Sequence, residues 1–352
     1  MTGNHQQGDG MPALGGMLHG RLAHAGAARM RIAAIERKAA EKAGAIVLTG
    51  QDTLDLHPYH GPVVCDRPLL AIDRARYRGE PVAAFAAKTP ELAEEAARLI
   101  VVNLAPLSDA ATGAHPGEEP LVHLTDLLAP GPYANGIGLT LHAGNQLMAA
   151  TRQIGTPTEA TVTRSIDIAI DIPLPPDLVP LQAAARWNGE TLVVWTSAPD
   201  AEAVGAELAE VFQRSAEQVT IIHALESTPQ RLPGSTGIEA IAAALARRAR
   251  RPVALTAGYD ALGWRGPRGT LQLSETENGA RNALLWIDAG AFAGNLPRFA
   301  DSIAETIADV AKITSGTVTV EVVYSFAPPI AATLDDWTAA IQAAIASAES
   351  AL

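Results

Sequence analysis

The stretch that decides the fold of this chain reads RYRGEPVAAFAAKTPE and covers residues 76–91. Its apolar run at residues 81–86 is typical of a buried strand, and the proline that opens the run is tolerated because the first strand position needs no ladder N–H. Thr89 then precedes a proline and a glutamate, which is the pattern of an N-cap and a first helical turn. Amphipathic spacing at residues 92–100 and an apolar run at 100–104 complete a predicted α+β unit of strand, helix and strand.

Outward from this stretch, 352 residues are enough for about two domains. Residues 108–145 are rich in Gly, Pro, Asp and His with weak periodicity, which predicts a surface connection. Beyond it, strands are predicted at residues 161–172, 191–196, 219–223, 252–257, 283–289 and 317–326, and helices at 200–213, 237–250, 299–313 and 334–348. This alternation predicts a mixed α/β layer structure. Asp200 is expected to be the N-cap of the helix at 200–213. The predicted organisation is a flexible N-terminus at 1–16, a first domain at 17–107, the connection at 108–145 and a second domain at 146–352.

Charge and composition argue against several classes of partner. The formal net charge of -12, from 38 acidic and 26 basic residues, repels phosphate backbones, so nucleic acid is not expected to bind. No apolar run is long enough to span a bilayer, and residues 1–16 lack the apolar core of a signal peptide, so no membrane partner is expected. The single cysteine, Cys65, excludes an internal disulfide and the paired-cysteine patterns of iron–sulfur and zinc sites. These features predict a cytoplasmic protein.

Residues 17–107 resemble the a/b hammerhead domain of molybdopterin-binding large subunits in the xanthine dehydrogenase and aldehyde oxidase family, the molybdenum hydroxylases. The segments that agree with the family in order, spacing and residue type are 17–25, 44–50, 68–71, 76–83 and 89–100. In the Arg-Tyr-x-Gly-Glu-Pro-Val-Ala signature, Gly79 is expected to allow a close approach or a positive φ, and Pro81 to start a strand. Glu80 is interpreted as a folding residue of the hammerhead, although a carboxylate can also act as an acid or base.

A fainter resemblance continues to about residue 257, and it strengthens at residues 185–197 and 237–253. It implies that residues 146–352 form a truncated and divergent counterpart of the first molybdopterin-binding domain. The expected fold class is therefore α+β, with a hammerhead domain followed by a mixed α/β domain. If such a chain is active, the family implies an oxidoreductase of the xanthine dehydrogenase or aldehyde oxidase type.

Several positions that contact the cofactor in the family carry unsuitable residues in this sequence. Val179 stands where the family has a glutamate, and Pro199 where a glutamine would donate and accept hydrogen bonds. A glycine-rich turn that lets backbone approach the cofactor is replaced by the sequence ALESTPQ at residues 224–230. The C-terminal half of the family, with its general-base glutamate, has no evident counterpart. We therefore assign no catalytic, cofactor-binding or metal residues, and expect molybdopterin to bind only if a partner completes the site.

One cluster of histidines and aspartates could suggest a metal site. His57 and His60 lie close in the sequence to Asp52 and Asp55, and all four are residue types that bind metals. A surface turn that contains a proline explains the same cluster without a metal. We interpret these residues as a surface turn.

Three polar segments are interpreted as features of helix ends rather than as sites. The basic run at residues 247–251 follows a predicted helix, where cations complement the dipole, although it could also hold a phosphate. Residues 234–237 could be taken for a nucleophile elbow, but Ser235 is well placed as the N-cap of the following helix. Asp335 and Asp336 could bind a cation, yet acids are expected in a first helical turn.

The last predicted helix carries an apolar stripe formed by Leu334, Trp337, Ile341 and Ile345 at helical spacing. Core packing is the simpler explanation, and a contact with another subunit is the alternative. Removal of the family's C-terminal domains should expose apolar area unless something covers it. We therefore expect the chain to associate, either as a homo-oligomer or with other oxidoreductase subunits.

The sequence leaves three functions open. The preferred hypothesis is a non-catalytic or auxiliary subunit of an oxidoreductase complex, a pseudoenzyme that keeps the hammerhead and the layer structure. The second is one part of a split molybdopterin-dependent hydroxylase or dehydrogenase that acts on an aldehyde or an N-heterocycle. The third is a small-molecule binding protein that reuses the substrate cleft without redox chemistry.

Overall fold

The computed structural model describes residues 4–7, 11–27, 30–57, 68–75, 78–106, 146–155, 161–173, 180–198, 200–223, 237–258, 266, 268–288, 296–323 and 332–349. The chain forms two compact units. The first unit comprises Met1–Ala110, Leu121–Ile137 and Asp177–Trp264, and the second comprises Ala111–Pro120, Gly138–Pro176 and Arg265–Leu352. No helix in the described parts of the chain has the length and apolar character needed to cross a bilayer.

The first unit contains eleven strands and four helices among the described residues. Its strands are β1 (Asn4–Gln7), β2 (Leu18–His24), β3 (Met30–Glu36), β4 (Ile46–Thr49), β5 (Arg74–Ala75), β6 (Pro81–Ala87), β7 (Val101–Pro106), β10 (Leu181–Asn188), β11 (Thr191–Thr196), β12 (Val219–His223) and β13 (Val253–Ala257). Its helices are α1 (Lys38–Lys42), α2 (Pro90–Leu99), α3 (Ala201–Val211) and α4 (Ile238–Ala249). The predicted strand, helix and strand after residue 80 are β6, α2 and β7, so that prediction is confirmed.

Eight of these strands form one mixed sheet in the order β1-β12-β11-β10-β13-β2-β6-β4. One half of the sheet is β1 with β10 to β13, and the other half is β2, β4 and β6. The two halves join at the parallel pair of β13 and β2, in which Val253 lies opposite Leu18 and Leu255 opposite Gly20. Strands far apart in the sequence thus share one hydrogen-bonded sheet. The other three strands form a small sheet in the order β5-β3-β7.

The compact units follow different boundaries from the consecutive domains expected at residues 17–107 and 146–352. The reason is that β10 to β13 belong to the same sheet as β2, while the strands at residues 146–171 belong to the second unit. Residues 4–7 lie in the segment expected to be flexible, yet they form β1 and pair in parallel with β12. Sequence patterns missed β1 because pairing through the backbone requires no apolar side chains.

Small residues let helices pack closely on the large sheet. All nine residues from Ile238 to Ala246 are buried in α4, five of them alanines, and the helix lies against β10 and β13. The indole Nε1 of Trp187 in β10 donates to the backbone oxygen of Ala243 in α4 (2.9 Å). On the other side of the join, Ala93 and Ala96 of α2 pack in a core cluster with Phe85 and Val47. The low aromatic content of the chain is consistent with this close packing.

The second unit consists of a five-stranded sheet against which two helices pack. Its strands are β8 (Gln146–Ile154), β9 (Val162–Asp171), β14 (Arg268–Thr276), β15 (Arg281–Asp288) and β16 (Gly316–Val323), and its helices are α5 (Leu296–Val310) and α6 (Leu334–Glu349). The strand order is β8-β16-β15-β14-β9. Helix α5 packs on β8 and β16, and α6 packs on α5 and β9. Trp337, Ile341 and Ile345 are buried, which confirms core packing for these three residues of the apolar stripe, while Leu334 is exposed.

Helix starts test the capping predictions directly. Thr89 accepts a hydrogen bond from the N–H of Leu92, and Asp200 accepts one from the N–H of Ala203, so both predicted N-caps are confirmed. Ser235 was the predicted N-cap of α4, and this prediction was wrong. The N-cap of α4 is Gly237 at φ 79°, a left-handed conformation that glycine adopts without strain. Ser235, the predicted cap, lies outside the described residues.

His24, the last residue of β2, gives the stability of the first unit a pH dependence. Its Nε2 is buried without a hydrogen-bond partner among the described residues, and burial lowers the pKa of the ring from 6.5 to about 4. Because the unfolded chain takes up this proton first, stability should be full above pH 6.5 and should fall by roughly 3 kcal/mol as the pH drops to 4. Urea unfolding between pH 4 and 7 would measure this slope, and His24→Phe should flatten it.

Candidate functional site

The signature before β6 is a folding element. Gly79 has φ 92°, which confirms the expected positive φ. Its N–H donates to the backbone oxygen of Ala25 (2.9 Å), and the N–H of Ala25 donates to the backbone oxygen of Glu80 (2.9 Å). The Glu80 side chain is buried, which supports its interpretation as a folding residue. Arg76 and Tyr77, at the start of the signature, lie outside the described residues.

We expect Gly79→Val to lower the melting temperature of the chain, because a β-branched residue tolerates a positive φ poorly. The strain should cost about 2 kcal/mol of unfolding free energy. A Gly26→Val variant is the matched control, since a side chain at Gly26 would meet no neighbouring atom within 4 Å. An unchanged melting temperature for Gly79→Val would mean that the positive φ of Gly79 is not needed for the turn that precedes β6.

Asp52 is the centre of a polar network in the first unit. Its Oδ2 accepts hydrogen bonds from the Thr49 N–H (2.9 Å), the Thr49 hydroxyl (2.8 Å) and the Arg37 guanidinium (2.6 Å). Its Oδ1 lies 3.1 Å from a guanidinium nitrogen of Arg248. Burial alone would raise the pKa of Asp52, but the Thr49 hydrogen bonds and the charges of Arg248 and Arg37 outweigh it and hold that pKa below its ordinary value.

The acids of the predicted histidine and aspartate cluster contact the basic run at the end of α4. Arg247 pairs with Asp55 (2.9 Å), so both aspartates of the predicted cluster bind arginines. His57 lies 3.8 Å from a carboxylate oxygen of Glu210, and His60 is outside the described residues. The described residues contain no group of side chains arranged to hold a metal. The basic run at the end of α4 thus has a structural role, since Arg251 also donates to the backbone oxygen of Gly16.

Both acids at the start of α6 lie in its first turn. The carboxylate of Asp336 accepts hydrogen bonds from the N–H and hydroxyl of Thr333, and the N–H of Asp336 donates back to that hydroxyl. This reciprocal arrangement is a capping interaction of the helix. It supports the interpretation of Asp335 and Asp336 as first-turn acids.

The end of β11 is one of the three segments in which the resemblance placed cofactor contacts. Thr196 ends β11 with its side chain buried, and its hydroxyl donates to the Oε1 of Glu239 in the first turn of α4 (2.6 Å). The same hydroxyl accepts a hydrogen bond from the N–H of Ala198 (2.9 Å). Glu239 is only 1% exposed. Sequence reasoning missed Glu239, because an acid in a first helical turn is ordinary at a solvent-exposed helix start.

The neighbouring hydroxyl is also used inside the protein. Ser197 is buried, and its Oγ donates to the backbone oxygen of Gln182 while accepting from the Gln182 N–H. The N–H of Ser197 donates to the same backbone oxygen of Gln182 (3.0 Å). Both hydroxyls at the end of β11 therefore have protein partners. Pro199, residues 224–230 and Val179, the other positions singled out for the cofactor, lie outside the described residues.

Residues 2–108 match a family described as the a/b hammerhead domain of aldehyde oxidase and xanthine dehydrogenase. The chain contains an a/b hammerhead domain. The match covers the signature turn, β6 and α2, so the resemblance inferred from the sequence is confirmed for this domain. The hammerhead supplies β2, β4 and β6 to the large mixed sheet.

Similarity in sequence extends to proteins of two enzyme systems. A protein of Bacillus subtilis described as a probable xanthine dehydrogenase subunit is 38% identical over 89 residues, which are 25% of this chain and 12% of that protein. The gamma subunit of the 6-hydroxypseudooxynicotine dehydrogenase complex of Paenarthrobacter nicotinovorans is 34% identical over 105 residues, 26% of this chain and 13% of that protein. The matched stretch is therefore a small part of each relative.

Similarity in structure extends over nearly the whole chain. A Cu,Mo-containing CO dehydrogenase shares the fold with a TM-score of 0.66 and 17% identity, covering 96% of this chain and 46% of that one. Quinoline 2-oxidoreductase from Pseudomonas putida matches at 0.60 and 18%, and covers 94% and 46%. The aldehyde oxidoreductase of Desulfovibrio desulfuricans matches at 0.63 and 16%, and covers 94% and 37%. These likenesses confirm the fold class, a hammerhead with mixed α/β structure, and the chain spans less than half of each neighbour.

Proposed function

We propose that this chain is a non-catalytic or auxiliary subunit of an oxidoreductase complex related to xanthine dehydrogenase and aldehyde oxidase. The observation that carries the proposal is the closed network at the end of β11. The Thr196 and Ser197 hydroxyls are buried and bonded to protein atoms, so neither is offered to a ligand. The relatives add support, because both bear the names of enzyme subunits.

The hydrogen bonds of Thr196 and Ser197 also indicate whether a molybdenum cofactor fits at the end of β11. A pterin cofactor of the kind the family implies is large, polar and anionic, so it needs free hydrogen-bond donors and a favourable electrostatic environment. In the described residues near the end of β11, the hydroxyls are already bonded, and Glu239 adds a buried carboxylate. These residues do not fit such a group. We therefore assign no step of a reaction to it in this chain.

A split enzyme is the alternative that one observation favours. The relative from Paenarthrobacter nicotinovorans is named as the gamma subunit of a dehydrogenase complex, so an enzyme of this kind can be divided among polypeptides. Another polypeptide would then supply the cofactor contacts and the catalytic base. Under this alternative, molybdopterin would be held by the complex and the substrate would be an aldehyde or an N-heterocycle.

Partners and location follow from the same proposal. An auxiliary subunit would associate with other oxidoreductase subunits, and a homo-oligomer is the remaining alternative. The acidic net charge of -12 gives no reason to expect nucleic acid among the partners. A cytoplasmic location accords with the single cysteine, which suits a reducing compartment.

The molybdenum and pterin content of the purified chain tests this proposal. We expect the isolated chain to carry neither in stoichiometric amount, because the described hydroxyls at the end of β11 are already bonded to protein atoms. The chain should be produced in a host that makes molybdopterin, with a known molybdenum hydroxylase expressed there as the positive control. One molybdenum per isolated chain would contradict the proposal. Molybdenum present only in a complex purified from the native source would instead favour the split enzyme.

A further inference from the structure

We propose that Arg186 in β10, which stacks on Trp195 in β11, is an anchor for a carboxylate of a partner subunit. The two side chains are the centre of a docking surface that we define as Arg186, Val193, Trp195 and Ile222. The inference rests on the proposed function and deepens it, because it names where a partner subunit binds and which chemical group that subunit presents.

The docking surface lies on the side of the large sheet that faces away from α4. The indole of Trp187 in β10 and the hydroxyl of Thr196 in β11 both donate hydrogen bonds to α4. Successive side chains of a strand point to opposite sides of its sheet, so Arg186 and Trp195 point away from this helix. The helix that buries one side of β10 and β11 therefore leaves the other side to different contacts.

The four residues of the docking surface are neighbours in the strand ladder. Val193 lies opposite Arg186, and Ile222 of β12 lies opposite Trp195. Trp195 comes two positions after Val193, which makes it a diagonal neighbour of Arg186 on the same side of the sheet. All four residues are partly exposed. An indole, a guanidinium and two aliphatic side chains are thus accessible next to one another.

The Arg186 guanidinium has no acceptor of its own in the described part of the chain. Its central carbon lies 5.8 Å from the centre of the Trp195 ring, which is a cation–π contact. Its Nε is buried without a hydrogen-bond partner, and none of the described residues forms an ion pair with it. Arginine stays charged in proteins, and a buried donor without an acceptor is unfavourable. An anion from outside the chain would satisfy this group.

A second stack of arginine on tryptophan in the same unit provides a comparison. Arg214 lies 5.9 Å from the centre of the Trp187 ring and also pairs with the carboxylate of Glu190. Arg186 has the same kind of stacking without the carboxylate. A planar guanidinium can contact a ring with its face and a carboxylate with its edge. A carboxylate is therefore the group that would complete the contacts of Arg186.

Two properties of the docking surface favour a protein partner over a small molecule. Small-molecule sites are usually concave, whereas these residues lie side by side on three neighbouring strands of a sheet. Tryptophan and arginine are enriched among the residues that contribute most to binding at protein interfaces. The expected partner surface thus presents an aspartate or a glutamate among apolar residues.

Benzoate binding to the isolated full-length chain tests whether Arg186 accepts a carboxylate that is carried on an apolar ring. Titration followed by the NMR signals of the tryptophan indoles should give a dissociation constant in the millimolar range for wild type. Arg186→Met keeps an apolar stem, and it should weaken binding by roughly tenfold or more because the charge-assisted hydrogen bonds are lost. Benzyl alcohol has the same ring without the charge, and it should not bind measurably to wild type.

Arg214→Met is the matched control. Arg214 also stacks on a tryptophan, but its guanidinium already pairs with Glu190, so the variant should bind benzoate as wild type does. If Arg186→Met does not fold, Arg186→Lys keeps the charge and loses the planar donor geometry, and it should bind benzoate more weakly than wild type.

Oxidative footprinting of the complex purified from the native source tests the partner. Labelling of Trp195 should fall severalfold in the complex relative to the isolated chain, because the partner covers the docking surface. Labelling of Trp187, which lies on the other side of β10, should stay unchanged. Arg186→Glu places two carboxylates against each other, and it should reduce the yield of the partner subunit at least tenfold.

Three outcomes would overturn the inference. They are no benzoate binding to wild type, equal affinities of wild type and a folded Arg186 variant for benzoate, and unchanged labelling of Trp195 in a complex that contains another subunit. The last outcome, together with benzoate binding, would identify a small-molecule site instead of a partner surface. Absence of any copurifying subunit would contradict the proposed function as well as the partner, and stoichiometric molybdenum in the isolated chain would contradict the proposed function alone.

Discussion

Trp337→Ala should lower the free energy of unfolding of the second unit by about 4 kcal/mol, the largest single effect we expect in this protein. Trp337 is completely buried in α6. One of its ring carbons lies 3.3 Å from the position that a Cβ would take at Gly269 in β14, so the strand leaves room for the ring. Alanine would leave a cavity between α6 and the sheet that the rigid strand cannot fill. Chemical denaturation monitored by circular dichroism would measure the loss.

The same helix provides the control for this prediction. Leu334 is the first residue of α6 and belongs to the same apolar stripe, but it is 38% exposed. Leu334→Ala should therefore cost well under half as much as Trp337→Ala, since less apolar area returns to water. Equal losses for the two variants would show that α6 contributes to stability as a whole helix rather than through the buried ring.

Asp52→Ala should destabilise the first unit by about 3 kcal/mol. The carboxylate is 14% exposed and holds Thr49, Arg37 and Arg248 together, so its removal leaves two guanidinium groups without their shared partner. The expected loss is near the lower end for a buried ion pair, because both arginine side chains still reach water. Urea unfolding of the variant and the wild type at neutral pH would measure the difference.

Acid pH and a neighbouring aspartate separate this effect from a general loss of surface charge. The contribution of Asp52 should be fully present above the ordinary carboxyl pKa of about 3.9 and should be lost as the pH falls through its lower pKa in the folded state. Asp55→Ala is the control, since Asp55 is 60% exposed and its carboxylate pairs with Arg247 at the surface. It should cost less than about 1 kcal/mol.

Elements with strong local signals could be predicted from the sequence. The run at β6, the cap at Thr89 and the cap at Asp200 each depend on a few adjacent residues, so their physics is contained in a short window. The apolar stripe of α6 is equally local, because its residues recur at helical spacing. Such features do not depend on what the rest of the chain does.

Features that depend on distant partners could not be predicted in the same way. The parallel pair of β2 and β13 joins Leu18 to Val253, and nothing in either strand specifies the other. Strand β8 was missed as well, although it pairs with β16 along most of its length. β14 was missed although Leu271 and Leu273 alternate with polar residues, a pattern typical of a half-buried strand.

The candidate site also contains some features that the sequence could predict and others that depend on distant partners. Departures such as Pro199 and Val179 are visible in the sequence because they replace residues that the family pattern leads one to expect. The closing pair of Thr196 and Glu239 is not visible, since it depends on a strand and a helix meeting 43 residues apart. The role of Arg248 was visible only in part, because a basic helix end reveals its charge but not the carboxylate that binds it.

Segments of the two units alternate along the sequence, and this alternation determines which strands can pair first during translation. Strands β8 and β9 leave the exit tunnel before the strands with which they pair, because β9 pairs with β14, which begins at Arg268, and β8 pairs with β16, which begins at Gly316. At ordinary translation rates β8 waits roughly 8 to 30 seconds for its neighbour. During that interval the ribosome synthesises the remaining described strands of the first unit, the last of which ends at Ala257. The nascent chain can therefore fold its first unit while two unpaired strands remain open to chaperones or to misassembly with another chain.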